Sequence, residues 1–467
     1  MLTYFPRYFS VRAIICYVVT LALVSTVFIN YAMPFQFVLF GFVPVCIFFV
    51  YSNQLTMNWQ IVSVRFFKKK IFTVALIIRI ICVVFLYFYF LQNTGRPHAY
   101  AAADELQYHY AAGVWRLEGF DRFWKNLITY YSLDDRGYIT WLGLEYLLFG
   151  THVLPARILK CFIDAFSCVL VYNLAKRNFG EAVGRMAAVF YMLMPNMWYY
   201  CGITLKETEM SFLVILFLER ADLALRAEKL SLPNILLPSV IIIVMFTFRT
   251  ALAAVMAAAL GGALIMSPDR HLKTWNKILY SVVFAVWMFF TVGVEIKEET
   301  QRLWDDRETN QTDGYVWRAQ QVNGNVYAQY ATASVFAPFI FTIPFSSMVS
   351  IGNQENLMMM NGAYFIKNVL SGLTIFALVT LIIRRDWRKH FLLIALTCGY
   401  LIVLVFSNFA HSERFHFPVL AIELLFAAYG VSLMKNKHKR WFVIWLVLMC
   451  VANLAWAWIK LSGRGMV

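Results

Sequence analysis

The chain has 467 residues, 61% of them hydrophobic and only 14% charged, with a mean hydropathy of +0.63 and a formal net charge of +15. A soluble domain keeps about 25% charged residues in a polar shell, so the composition excludes a secreted, cytosolic or disordered protein. Apolar runs of about 20 residues suit membrane-spanning helices, whereas a barrel shows alternating segments about half as long. The expected fold is therefore all-α and polytopic.

In chain order, the apolar runs between charge clusters predict spans near 12 to 31, 35 to 51, 71 to 91, 155 to 175, 183 to 201, 205 to 222, 234 to 248, 251 to 266, 278 to 296, 363 to 383, 390 to 407, 417 to 434 and 441 to 460, about 13 in all. Two further runs are too short to cross: 138 to 150 (YITWLGLEYLLFG), and 335 to 350, which holds Pro338 and Pro344. Both are expected to be interfacial or re-entrant. No small-residue cleavage site follows the first span, which reads as a retained anchor.

The net charge is not a nucleic-acid footprint, because it gathers on one side of these spans. With the N-terminus cytoplasmic, that side holds 23 of the 41 basic residues, among them Lys68 to Lys70, Arg384, Arg385, Arg388 and Lys389, against six acids. The opposite side is close to neutral, which is the positive-inside asymmetry of a membrane protein. The eight cysteines fall within spans or at their ends without a CxxC pair, and read as small core hydrophobes. Cytoplasmic connections are short and no GxxxxGK[ST] occurs, so chemistry is expected outside the cytoplasm without direct use of ATP.

Two outer loops are long, at about 92 to 137 and 297 to 362. In the first, Asp104 and Glu105 open a helical pattern that continues through Tyr108. A pair of first-turn acids is ordinarily a response to the helix dipole. Here, however, single basic residues end several otherwise apolar runs on the same side: Arg157, Lys206, Arg249, His411 and Arg414. Arg249 separates two apolar stretches, so it either caps a tight outer hairpin or sits in a buried pocket. Each alone is explained by snorkelling to headgroups. Together they suggest a site for a lipid-linked phosphate, which Arg binds as a fork and Lys as a point charge. Asp164, one turn after Lys160, is expected first to form an i,i+4 pair or to serve as a structural hydrogen-bond partner, ahead of a proton-relay role. Glu423 lies where it can face the same cavity.

Four segments, in this order, carry a resemblance: ADELQYHYAA, FGTHVLPARILKCFIDAFSCVLVYNLAKRNFGEAVGRMAAVFYMLMP, TLKETE and HSERFHFPVLAIELLFAAYG. Over about 71 to 434 the chain resembles the GT-C superfamily of polyprenyl-phosphate-sugar-dependent glycosyltransferases, which includes the protein O-mannosyltransferases and the lipid A aminoarabinose transferases. It departs from that pattern in having two spans before the usual first helix, no proline-rich stretch at 133 to 141, and Phe415 where the family has Tyr. No C-terminal soluble domain is expected, which sets it apart from oligosaccharyltransferases. The implied organisation is two extra spans and a basic loop in 1–70, a GT-C-like catalytic module in 71–296, the second outer loop in 297–362 and C-terminal helices in 363–467.

The resemblance implies an inverting hexosyl- or pentosyltransferase in a bacterial inner membrane, with its site on the periplasmic side. Asp104 is then the general base that takes the acceptor's hydroxyl proton, while Glu105 orients Asp104, the acceptor or a divalent ion. Lys206, Arg249, Arg414, His411 and Arg157 are the residues for the donor phosphate, and Glu207, Glu209 and Tyr108 those for an acceptor or a metal. The partners are a polyprenyl-phosphate sugar and a glycan, lipid or protein acceptor; no other cofactor is implied. The competing reading is an O-antigen or exopolysaccharide polymerase or ligase, which needs no early Asp-Glu. A lipid-linked glycan transporter ranks last, because few charges lie deep in the spans.

Overall fold

The computed structural model describes residues 2–100, 102–227, 232–266, 301, 336–407 and 409–467. The predicted span 278 to 296 and residues 302 to 335 of the second outer loop lie outside the described residues. In chain order the described helices are α1 (Arg7–Val27), α2 (Phe35–Asn58), α3 (Val64–Thr94), α4 (Ala103–Glu118), α5 (Phe120–Tyr130), α6 (Leu133–Phe149), α7 (Val153–Phe179), α8 (Glu181–Leu193), α9 (Pro195–Cys201), α10 (Glu207–Arg226), α11 (Leu232–Phe246), α12 (Thr250–Met266), α13 (Glu355–Met359), α14 (Asn361–Ile383), α15 (Phe391–Phe406), α16 (Glu413–Leu433) and α17 (Lys439–Ser462). Eight stretches among the described residues are long and apolar enough to cross a bilayer: α1, α2, α3, α7, α14, Asp386–Phe406 with α15 inside it, α16 and α17. The protein is an all-α polytopic membrane protein. Shorter apolar helices form at α11 and α12.

The run 183 to 201 departs from its expectation as a single span. Pro195 lacks an N–H and its ring crowds the preceding turn, so the helix stops at Leu193 and restarts as α9 with proline in its first turn. The carbonyl of Met192 left over by the break accepts from Trp198 Nε1 at 2.8 Å. Three other reversals rest on single glycines in the left-handed region: Gly119 between α4 and α5, Gly150 after α6 and Gly180 between α7 and α8, with φ of +92°, +84° and +92°.

The core is built around α7, which packs on α3, α8 and α10, and α16, which packs on α8, α10 and α14. The membrane window of α16 is 100% buried against 28% for α1, so α16 is the axis of the bundle and α1 part of its lipid-facing rim. Deep in the core, Arg79 of α3 donates from Nε to Asp164 of α7, and the Tyr191 hydroxyl of α8 donates to the same carboxylate. Of the two structural expectations for Asp164, the hydrogen-bond partner holds and the i,i+4 pair with Lys160 does not form. Lys160 instead donates to the carbonyls of Ile203, at 3.1 Å, and Leu205. A charge buried this deeply needs a partner on a neighbouring helix more than one on its own surface.

α1, α2 and α14 are tied by Asn361, whose Oδ1 accepts from Tyr17 at 2.6 Å and whose Nδ2 donates to the Phe37 carbonyl at 2.9 Å. There α2 and α14 meet at Gly41 and Gly362, where any β-carbon would overlap the opposing chain. Residues 342–349 are buried but not helical. Their backbone is satisfied by side chains, with Lys367 Nζ on the Ile343 carbonyl at 2.9 Å and Asn453 Oδ1 on the Ser346 amide at 2.7 Å, as non-helical chain at membrane depth requires.

Residues expected on the cytoplasmic side meet at one end, where Arg177 pairs with Glu219 at 2.8 Å and Arg226 donates to Asn178 at 2.9 Å. Asp104, Lys206, Arg249 and Arg414 gather around a common cavity at the other.

Candidate active site

Two cavities open among the helix ends opposite Arg177 and Glu219. The first, of about 220 Å³, is lined by Asp104, Tyr108, Asp135, Lys206, Arg249 and Arg414 with apolar residues of α15. The second, of about 270 Å³, is lined by Asp104, Arg414, Glu413, Asn356 and the rings of Tyr100, Tyr199, Tyr200 and Tyr364. Asp104 and Arg414 belong to both, and their ion pair stands between the two spaces.

Each residue is placed by a helix start. Asp104 is in the first turn of α4, about half exposed, and accepts from Arg414 Nη1. Arg414, in the first turn of α16, also donates from Nε to the buried carboxylate of Glu207, the first residue of α10. Lys206 precedes α10 and donates from Nζ to Asp135 Oδ1 and the Asp134 carbonyl, each at 2.7 Å. Tyr108 donates to the same Asp135 oxygen at 2.5 Å. Burial would raise the Asp135 carboxyl, but the Lys206 ammonium and the Tyr108 hydroxyl outweigh it and hold Asp135 below its ordinary range. Burial and the Asp135 carboxylate push the Tyr108 hydroxyl up, which keeps it a donor. Arg249 sits at the α11–α12 hairpin with its guanidinium 4.3 Å above the Phe415 ring, so both sequence alternatives hold at once: it turns a hairpin and lines a cavity.

Other expected residues are placed elsewhere. Glu105, one residue from Asp104, points inward to Arg157 Nη2 at 2.6 Å and accepts from the amides of Thr204 at 2.7 Å and Ala99 at 3.0 Å. Burial is overcome by Arg157, His98 and the Thr204 amide, and the Glu105 carboxyl is held at about 2. Although Glu105 is among the lining residues of the tyrosine-lined cavity, its carboxylate is committed to Arg157, and Arg157 lines neither cavity. Glu209 lies 3.4 Å from Lys160, away from both cavities. His411 stacks on Trp456 with ring centroids 5.5 Å apart, also outside the two linings. Glu423 is 4.0 Å from Lys367 within the bundle rather than at either cavity. Among the described residues no three His, Cys, Asp or Glu side chains converge in a way that could hold a metal ion.

Three acids in the linings, Asp134, Asp135 and Glu413, were not singled out from the sequence. Asp135 lies in LDDRG, and the signal was present: converging cations call for counter-charges in the same outer loop. Glu413 immediately precedes Arg414 and accepts from Asn196 and, at 3.0 Å, from the Tyr200 hydroxyl. Those two donors stand on α9, whose position depends on the break at Pro195.

Residues 137–294 match a family described as dolichyl-phosphate-mannose-protein mannosyltransferase. The stretch begins inside α6 and contains Arg157, Lys206, Glu207 and Arg249. Among solved structures, the chain is similar to the archaeal oligosaccharyltransferase AglB from Archaeoglobus fulgidus, determined in complex with an inhibitory peptide and a dolichol-phosphate. The two are 13% identical with a TM-score of 0.40, over 86% of this chain and 56% of that one, a likeness too distant to carry an argument. The chain thus spans little more than half the length of that structure. No curated protein matches the chain. The family match bears out the resemblance to membrane glycosyltransferases of the GT-C superfamily.

Proposed function

We propose that the protein moves a sugar from a polyprenyl-phosphate donor to an acceptor hydroxyl, with inversion, on the extracytoplasmic face of a bacterial inner membrane. The observation that carries this reading is the position of Asp104 and Arg414, a carboxylate and a guanidinium shared by two adjoining cavities. The cavity with Lys206 and Arg249 takes the donor phosphate, and the tyrosine-lined cavity takes the acceptor.

The anomeric carbon then lies beside Asp104. The acceptor hydroxyl gives its proton to the Asp104 carboxylate, its oxygen bonds to the anomeric carbon, and the carbon–oxygen bond to phosphate breaks with its electron pair passing to the phosphate oxygen. No general acid is needed, since a phosphate monoester with a second pKa of about 6 leaves as an anion. Lys206, Arg249 and Arg414 act on the charge that grows on the leaving group, the arrangement that favours the transition state over the ground state. Glu105, through Arg157 and the Thr204 amide, fixes the start of α4 and the turn before α10 relative to each other.

The test is Asp104→Asn in membranes supplied with labelled polyprenyl-phosphate sugars. Transfer should fall by about 10² to 10⁴, the usual contribution of a general base. Wild-type rates from a well-inserted variant would remove Asp104 as the base. Wild-type protein that consumes no such donor would remove the function itself.

A further inference from the structure

A third cavity, of about 410 Å³, lies between α2, α3 and α9 in the half of the bundle nearest the site. Its walls include Leu39, Phe40 and Val43 of α2 and Phe85 and Leu86 of α3, and no charged side chain is among its lining residues. The edges face the bilayer: Leu39, Val43 and Phe85 are 42%, 48% and 52% exposed. From Gln36 to Ile47 the groove follows α2 for about 16 Å at 1.5 Å per residue, close to one leaflet of a core about 30 Å thick. A lateral apolar slot of that length fits a hydrocarbon chain.

The groove adjoins the tyrosine-lined cavity. Tyr199 and Met360 line both, and the Tyr199 hydroxyl donates to Asn356 Oδ1 at 3.0 Å at the junction. The wall is fixed by the Gly41–Gly362 contact and the Asn361 tie. The space it joins is not the one that holds Lys206 and Arg249. The tyrosine-lined cavity presents Asn356, tyrosine hydroxyls and the Glu413 carboxylate, which suit hydroxyl groups, and Arg414, held by Asp104, is the one cation among its lining residues.

We infer that the groove between α2, α3 and α9 holds the hydrocarbon tail of the acceptor, so that the acceptor is a lipid-anchored, hydroxyl-bearing molecule delivered from the outer leaflet. This rests on the proposed glycosyltransferase reading. It assigns donor and acceptor to separate cavities of one site, with their head groups meeting at Asp104.

The test uses purified protein in nanodiscs, a labelled polyprenyl-phosphate sugar as donor and a total lipid extract of the source membrane as the acceptor probe. In wild type the label should move into a new product soluble in chloroform–methanol. Val43→Trp and Cys82→Trp fill the groove from opposite walls and should raise the lipid extract needed for half-maximal transfer by about tenfold, the loss for two methylenes displaced from contact. Donor half-saturation should stay unchanged in both. Ile15→Trp, on the lipid-facing surface of α1 outside the groove, controls for added bulk and should leave both values alone. Label appearing in protein or in a water-soluble glycan overturns the inference, as does a shift in donor rather than acceptor half-saturation. A wild type that consumes the donor by hydrolysis alone, with or without lipid extract, overturns it while leaving donor recognition standing. A wild type that consumes no donor overturns the parent reading and the inference together.

Discussion

Asp104 and Glu207 share a single guanidinium, that of Arg414. The three residues come from the starts of α4, α10 and α16, so one side chain joins the outer cap to two helices of the core. In the proposed reaction Asp104 gains a proton as the phosphate gains negative charge. Arg414 lies between them, and the charge it neutralises moves from one neighbour to the other.

Arg414→Lys should therefore be a poor replacement, because an ammonium lacks the fork that reaches two carboxylates at once. Transfer should fall by about 10² to 10³ with the protein still folded. Arg414→Ala leaves Glu207 buried without its partner and should also cost about 3–5 kcal/mol of stability. Rate measurements beside melting in detergent separate these outcomes.

The adjacent acids should behave oppositely. Asp104→Asn changes a half-exposed side chain and should leave the melting temperature close to wild type. Glu105→Gln strands Arg157, which is fully buried, and should cost about 3–5 kcal/mol while the folded fraction keeps most of its turnover. Equal effects on rate and melting in both variants would contradict the division of roles.

Arg249→Met should lower kcat/KM for the donor by about tenfold, equivalent to about 1.4 kcal/mol, without disturbing insertion. Lys206→Met should do the same and in addition release Asp135, whose carboxyl then rises. Donor titrations of the single and double variants test whether both cations act on one phosphate. If so, their effects are not additive.

Glu145, on α6 outside the predicted spans, gives a pH signature. Burial and the Glu209 carboxylate push it up to about 8, against the pull of Lys160. The folded protein therefore holds a proton that the unfolded chain, with its ordinary value of 4.5, releases earlier. Stability from this group is complete below about 4.5, declines as pH rises and is gone above about 8. Melting curves of Glu145→Gln against wild type should diverge across that window, with the wild type losing ground toward alkaline pH. Parallel curves would show that Glu145 ionises freely.

The spans were legible because a bilayer imposes a minimum length of apolar sequence, and helices form at the predicted runs that fall within the described residues. Asp104, Lys206, Arg249 and Arg414 were legible because charges at the ends of apolar runs are expensive unless used. Pairings across helices were not. Asp164 sits one turn from Lys160 in sequence yet bonds Arg79, since only packing decides which helix lies opposite. Arg157 and Glu105 looked like site residues for the same reason as Arg249: sequence reports depth and charge but not the direction a side chain takes from its helix.

The complete burial of α16 bears on how the protein turns over. A helix enclosed on every side cannot tilt without opening the bundle, so Arg414 and Glu413 at its first turn act as a fixed floor. In the proposed reaction, motion that admits substrate and releases product then falls to α5, which follows the Gly119 pivot and has Phe120, Trp124 and Ile128 exposed, while the starts of α4 and α6 are tied to the core. Amide hydrogen exchange should be slowest in 413–433 and fastest in 120–130. The rate of the proposed reaction would then follow the movement of α5.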